Sequence, residues 1–103
     1  LQGKLISDAP AAAVNDFDTV RATVVQFTGS SAQDVTGFRN GEDGRLFWLH
    51  NTGSGTYTVK HQNAGSVETN RIVTQSGSDV SLTTGKTIGL LYTSDRWREI
   101  KDA

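Results

Sequence analysis

The chain has 103 residues and no cysteine, so it fits one domain and holds no disulfide framework, thiolate metal site or thiol nucleophile. Ten basic and eleven acidic residues are scattered along it and give a formal net charge of −1, which does not predict a nucleic-acid-binding surface. Because no apolar run approaches the roughly 20 residues that span a bilayer, we expect no membrane insertion.

Residues 1–20 are interpreted as a lead-in segment or linker whose first part can form a strand, and residues 21–103 as a single β-sandwich domain. Because residue 1 is leucine, we expect the chain to come from a longer protein. Turn-forming residues separate short apolar segments, and this pattern is typical of an all-β domain. The segments predict strands at 21–27, 34–38, 45–50, 56–61, 70–74, 80–82, 87–92 and 96–100. About seven or eight short strands favour an antiparallel β-sandwich or a jelly-roll-like domain.

Four consecutive apolar residues, 46–49, interrupt the alternation expected of a half-buried strand. The turn-rich segment 51–55 predicts a hairpin in which Leu49 faces Tyr57 and Phe47 faces Val59. One face of this hairpin belongs to the core and carries Phe47, Leu49, Tyr57 and Val59. The other face carries Leu46, Trp48, Thr58 and Lys60. This strand therefore has apolar side chains to bury on both faces.

The last part of the chain repeats the two-faced pattern. In the predicted strand 87–92, Ile88, Leu90 and Tyr92 share one face, and Leu91 lies on the opposite face. Both faces of this strand also have apolar groups to bury.

Two histidines, His50 and His61, lie in adjoining predicted strands, as zinc ligands can. A zinc site needs three or four ligands, and the two imidazoles do not face each other in the predicted hairpin, so ordinary hydrogen bonding is favoured. The acidic segments 15–18 and 40–44 lack the spacing of a calcium loop. No local motif arranges a nucleophile and a base for catalysis, and we expect neither an enzyme nor a metal or cofactor.

The two tryptophans, Trp48 and Trp97, have two interpretations. An indole offers a flat apolar face with a hydrogen-bond donor at its edge, which suits stacking on a sugar ring. Burial, either in the core or between subunits, is the favoured interpretation for both side chains.

Several short motifs occur in a defined order along the chain. A Gly-x-Asp-Gly-Arg turn at 41–45 leads into an apolar strand that ends in asparagine, and Asn-Arg-Ile follows at 70–72. A Leu-x-x-Gly-x-x-Ile turn at 82–88 leads to a strand ending in tyrosine, and Arg-Trp-Arg closes the series at 96–98. Taken together, from about 14 to 100, the set resembles a β-structured module near the C-termini of tailed-bacteriophage tail fibres, tailspikes and head or baseplate appendages.

The resemblance implies a non-enzymatic virion component, usually a homotrimer, that serves as the tip or projecting domain of a fibre or appendage. Its partners would be other virion proteins and a host cell-surface polysaccharide. The alternatives are a capsid decoration protein and a carbohydrate-binding module of a secreted or cellular protein. Residues expected to bind a ligand are Trp48, Lys60, His61 and Asn63. Residues expected at a subunit interface are Leu46, Trp48, Leu91 and Trp97.

Overall fold

A computed structural model describes residues 3–100, which form nine strands and one short 3₁₀ helix. The strands are β1 (Leu5–Asp8), β2 (Val24–Phe27), β3 (Gln33–Val35), β4 (Leu46–Asn51), β5 (Tyr57–Val59), β6 (Ile72–Val73), β7 (Val80–Leu82), β8 (Thr87–Thr93) and β9 (Arg96–Ile100). The 3₁₀ helix, Glu68–Asn70, precedes β6. Each of the eight predicted strands overlaps an observed one, and β1 is the ninth. Across residues 3–100, no helix has the length and apolar character needed to cross a membrane.

The strands form two sheets that pack against each other as a small β-sandwich. The larger sheet has the order β1-β2-β4-β8-β9-β6, and the smaller has the order β3-β5-β7. Across the core, the ring centroids of Phe27 in the larger sheet and Tyr57 in the smaller sheet lie 4.8 Å apart. The prediction of an all-β domain is therefore confirmed.

The strand pairing is mixed, so the prediction of an antiparallel or jelly-roll-like pairing is wrong. The pairs β1–β2, β2–β4, β3–β5 and β6–β9 are parallel, whereas β4–β8, β5–β7 and β8–β9 are antiparallel. From β2 to β8 the chain alternates between the two sheets at every strand. In the pairs β2–β4 and β3–β5 the chain crosses through one strand of the other sheet and returns in its original direction, so the neighbours are parallel, whereas β7 returns beside β5 in the reverse direction.

The predicted hairpin between β4 and β5 is also wrong, because these strands belong to different sheets. Both edges of β4 are already occupied, by β2 on one side and β8 on the other. The intervening segment is fixed by Asn51, whose buried side-chain amide donates to the carbonyl oxygens of Gly55 at 2.8 Å and Leu82 at 2.9 Å. The Asn51 Oδ1 atom accepts from the Gly53 N–H at 2.9 Å. These bonds direct the chain across the sandwich.

The predicted core face is confirmed, although the pairing that suggested it is not. Four side chains are completely buried between the sheets: Phe47, Leu49, Tyr57 and Val59. Ile88, Leu90 and Tyr92 also share the inner face of β8. Strand alternation alone places these groups inward, whatever the partner strand is.

Trp97 is the largest fully buried side chain and lies at the centre of this core. Its ring centroid is 4.9 Å from Phe47 and 5.0 Å from Tyr92, both in edge-to-face geometry. Its Nε1–H donates to the carbonyl oxygen of Phe38 at 2.9 Å. Burial of Trp97 is confirmed, but the burial occurs within the chain itself, so the expectation that Trp97 lies at a subunit interface is wrong.

Residues 3–20 belong to the sandwich, so the predicted boundary at residue 20 is also wrong. Strand β1 pairs with β2 in the larger sheet. Val14 is buried and continues the smaller sheet, because its N–H donates to Asp34 O and its carbonyl accepts from Thr36 N, both at 2.8 Å. Phe17 packs edge-on against Phe27 at 5.7 Å. The segment thus runs along the edge of the smaller sheet and covers one side of the core.

Candidate functional site

The outward face of the larger sheet carries a continuous row of apolar residues across five strands. Side chains directly opposite in neighbouring strands point to the same side of a sheet. The register places five residues side by side in this way, here called the apolar band: Leu5, Val24, Trp48, Gly89 and Ile100. The band crosses four gaps between neighbouring strands, each roughly 4.8 Å wide, so it is about 19 Å long.

The apolar band is exposed even though the core beneath it is complete. Leu5 is 55% exposed and Trp48 is 42% exposed. In the described part of the chain six large apolar side chains are exposed, and four of them, Leu5, Leu46, Trp48 and Ile100, lie on this face. Concentration of exposed apolar groups on one side of a small domain is typical of an interaction surface.

Trp48 occupies the middle of the band and extends over the neighbouring strand. A Cβ atom on residue 89 would lie 2.7 Å from Cζ3 of Trp48 and 3.1 Å from Cδ1 of Ile100. Glycine at this position therefore lets the indole and the isoleucine approach the backbone of β8 from opposite sides. The outward surface around Gly89 is therefore shallow and nearly continuously apolar.

A second row lies beside the band, on the side toward the start of β4. Leu46 is directly opposite Leu91, and Leu91 is directly opposite Arg98. The Arg98 guanidinium donates from Nε to the carbonyl oxygen of Thr93 at 3.0 Å and from Nη2 to that of Ser94 at 3.4 Å. Leu46 and Leu91, both expected at an interface, thus lie together with Trp48 on one face.

A polar row flanks the other side of the band. The register aligns Ser7, Gln26, His50 and Thr87. The Gln26 side-chain amide donates to Ser7 Oγ at 3.3 Å, and His50 Nδ1 is 2.6 Å from Thr87 Oγ1. The polar groups of this row are therefore paired with one another.

The other three residues expected to bind a ligand are not near Trp48. Lys60, His61 and Asn63 follow β5, a strand of the smaller sheet. Trp48 belongs to the larger sheet, on the opposite side of the sandwich, and points outward from it. The prediction that Trp48 and Lys60 share one surface is wrong, because it depended on the hairpin. The structure brings Trp48 together with Leu46 and Leu91 and separates it from the smaller-sheet residues.

The three smaller-sheet residues also have structural partners of their own. Lys60 Nζ lies 2.9 Å from Asp79 Oδ2, and this hydrogen-bonded ion pair raises the pKa of Lys60. The His61 backbone N–H donates to Asp79 at 2.9 Å and, together with Lys60, lowers the pKa of that carboxyl. Asn63 Oδ1 accepts from the Gly65 N–H at 2.8 Å. These contacts stabilise the connection from β5 toward β6.

The histidines have separate partners. His61 Nδ1 accepts from the backbone N–H of Thr74 at 3.1 Å, whereas His50 lies in the polar row of the larger sheet. Among residues 3–100, no three histidine or carboxylate side chains are grouped as a metal site would require. The arrangement offers these imidazoles ordinary hydrogen bonds.

An open cavity of about 260 Å³ lies at the β6–β9 edge of the larger sheet. It is lined by Val73, Thr74, Gln75, Arg98 and Glu99. Gln75 makes two hydrogen bonds to Glu99: its backbone N–H donates to the side-chain Oε1 at 2.9 Å, and its side-chain amide donates to the backbone carbonyl oxygen at 3.0 Å. The cavity continues the face beyond Arg98 and contains no arrangement of a nucleophile with a base.

Sequence reasoning missed Leu5, Val24 and Ile100, which complete the apolar band. In each case the neighbouring position of the same strand faces inward. This alternation of inward and outward positions is the sequence pattern from which the three outward residues could have been predicted. Their alignment with Trp48 depends on the strand order of the sheet. Comparisons of the chain with protein-family models, with curated proteins and with solved structures give no match.

Proposed function

We propose that this chain is a non-enzymatic structural module of a tailed-bacteriophage virion, forming a homotrimeric tip, projecting domain or capsid decoration. The motif series from 14 to 100 supports the virion assignment. The observation that carries the assembly role is the exposed apolar band on a sandwich whose core is complete without it.

The energetic reason for assembly is the water-exposed area of this face. Burying apolar surface contributes about 25 cal/mol per Å². Covering several partly exposed side chains would add several kcal/mol to a domain of a size that is stable by only about 5–15 kcal/mol. Association therefore stabilises both the assembly and the fold of each subunit.

The decisive measurement is the molar mass of the purified chain by light scattering or sedimentation equilibrium, from micromolar to millimolar concentration. The proposal expects a mass of three chains. A mass of one chain over the whole range contradicts self-assembly. The virion assignment is tested separately, by detecting peptides of the chain in purified virus particles from its source.

A second candidate function is carbohydrate binding, and the 42% exposure of the Trp48 indole favours it. This function requires a monomer whose indole stays accessible. Trp48 emission would then be quenched by iodide in the isolated chain and protected when a polysaccharide is added. Protection that depends on chain concentration and not on added polysaccharide argues for assembly instead.

A further inference from the structure

We infer that strand β1 is exchangeable: the segment 3–13 leaves the edge of β2 in the folded domain and inserts, in the same register, beside β2 of a second copy of this chain. The exchange takes place at the edge of the larger sheet and not on its outward face. It therefore holds whether or not the apolar band is an assembly surface.

Strand β1 is held at the edge of the sheet mainly through its main chain. The Lys4 carbonyl oxygen accepts from the Thr23 N–H at 2.8 Å. The Asp8 carbonyl oxygen accepts from the Thr28 N–H at 2.9 Å. Of the four β1 side chains, Ile6 alone packs against the core, and the other three are exposed. Release of β1 therefore breaks few side-chain contacts, and a second copy re-forms the same main-chain hydrogen bonds.

The connection 9–13 has the properties of a hinge. It consists of one proline among four alanines, and all four alanines are exposed. Residues 10–13 make no hydrogen bond to another residue within 3–100. Pro10 fixes its own φ and restricts Ala9 to extended conformations, which favours a connection that reaches outward. Five extended residues span about 17 Å from Val14, the buried residue that follows the hinge, so a neighbouring sheet edge within that distance is reachable.

The hydroxyl group of Tyr57 favours release of this segment. Tyr57 is completely buried, and within residues 3–100 its hydroxyl has no partner in hydrogen-bonding geometry. A Cβ atom on Gly29 would lie 3.1 Å from this hydroxyl and 3.3 Å from the Cβ atom of Ala9, so Ala9 is close to the hydroxyl. Ala9 is itself exposed, and its departure admits water. Hydration of the hydroxyl then offsets part of the cost of releasing β1.

The vacated edge of β2 fits the strand that left it. On the core side, Ile6 is aligned with the buried Val25. On the outward side, Ser7 Oγ accepts from the Gln26 side chain at 3.3 Å. Strand β1 of a second copy restores both contacts with the same residues. The closed and exchanged forms thus share their β1–β2 contacts and differ mainly in the hinge and in the entropy of joining two chains, so high concentration favours exchange.

The test mixes two variants, Ser7→Cys and Gln26→Cys, at millimolar concentration and then oxidises them. The unaltered chain has no cysteine, so a disulfide between positions 7 and 26 in this mixture joins two different chains. Aligned residues of neighbouring strands lie about 5 Å apart, within the range that a disulfide spans. We expect a linked dimer on a non-reducing gel, with tryptic peptides 5–21 and 22–39 joined, in an amount that rises with concentration.

Ser7→Cys mixed with Thr87→Cys is the matched control. Thr87 lies in the same polar row, two strands beyond Gln26. Contact between the outward faces of two copies would link position 7 to either residue, whereas strand exchange links it to position 26. Equal yields in the two mixtures, or no product with Gln26→Cys, overturn the inference. The proposed function is tested by the mass of the unaltered chain, so the two can fail separately. Urea unfolding verifies that each variant is folded.

Amide hydrogen exchange tests the release of β1 in the unaltered chain. The N–H groups of Thr23 and Thr28 donate to β1 and its lead-in, whereas the Trp97 N–H donates to Arg71 O at 3.0 Å in the core. We expect the two threonine amides to exchange at least about tenfold faster than the Trp97 amide. Tyr57→Phe is expected to slow them about fivefold, because no hydroxyl is left to hydrate. Rates equal to that of Trp97 would show that β1 leaves only when the whole domain unfolds, and would overturn release from the folded domain.

Discussion

The indole of Trp48 lies over Gly89 of the neighbouring strand, so closely that a Cβ atom there would come within 2.7 Å of the ring. This contact joins the two strands that also contribute Leu46 and Leu91 to the outward face. Glycine within a strand normally weakens it, and here the absent side chain provides space for the indole.

Gly89→Ala is therefore expected to displace the Trp48 ring and to lower the free energy of unfolding by about 1 kcal/mol. Urea unfolding measures the stability, and a red shift of Trp48 emission measures the displacement. In a Trp48→Ala background the same substitution is expected to cost close to nothing, because the clashing ring is gone. An equal cost in both backgrounds would show that Trp48 is not the group that Gly89 accommodates.

Trp97→Phe is expected to lower the free energy of unfolding by about 3 kcal/mol. The substitution leaves a cavity in the core and removes the donor to the carbonyl oxygen of Phe38. Trp48→Phe serves as the control, because the same chemical change at a partly exposed site is expected to cost less than about 1 kcal/mol. Similar unfolding midpoints for the two variants would contradict the described core.

Asn51→Asp is expected to destabilise the fold by about 3 kcal/mol at neutral pH, because a buried carboxylate would face the Gly55 and Leu82 carbonyls. The protonated acid can donate to one of these oxygens, so the pKa of the new carboxyl would be raised in the folded state. The deficit should shrink as pH falls below that pKa. Chemical unfolding at several pH values measures the loss of stability in the variant. A loss that does not change with pH would contradict the hydrogen bonds assigned to the Asn51 side chain.

The carboxyl group of Asp16 is expected to titrate below the usual range of an aspartate. A hydrogen bond from the Asn70 side chain at 2.8 Å and one from the Val67 backbone N–H at 2.9 Å lower its pKa, and partial burial opposes them. Because the folded pKa is depressed, the contribution to stability is fully present above about pH 4 and is lost as pH falls through the folded pKa.

Two variants isolate this carboxylate. Asp16→Asn keeps a residue that tolerates the positive φ of 47° and is expected to cost about 1 kcal/mol at pH 7, with the difference disappearing in acid. Asn70→Ala is expected to raise the titration midpoint of Asp16 followed by carbon NMR. A midpoint unchanged by Asn70→Ala would show that the hydrogen bond does not control the ionisation.

The strands themselves were predictable because their signal is local. Turn residues delimit eight of the nine strands, and alternation within 46–49 separates Phe47 and Leu49, which face the core, from Leu46 and Trp48, which face outward. This assignment was correct although the proposed hairpin was not. The direction of a side chain depends on its own strand, whereas the pairing of that strand depends on every other segment competing for its edges.

The amino-acid sequence by itself determined an all-β chain with two-faced apolar strands. It favoured burial equally for Trp48 and Trp97, and the fold buries Trp97 completely while leaving Trp48 42% exposed. Only the tertiary structure decided which strands are neighbours, and this choice brings Leu5 and Ile100, 95 positions apart in the chain, into one row with Trp48. The same choice places Lys60, His61 and Asn63 on the connection that follows β5 of the smaller sheet, away from Trp48. The physical reason is that hydrogen bonds between strands join any two extended segments, so the apolar band arises from long-range contacts that no local pattern encodes.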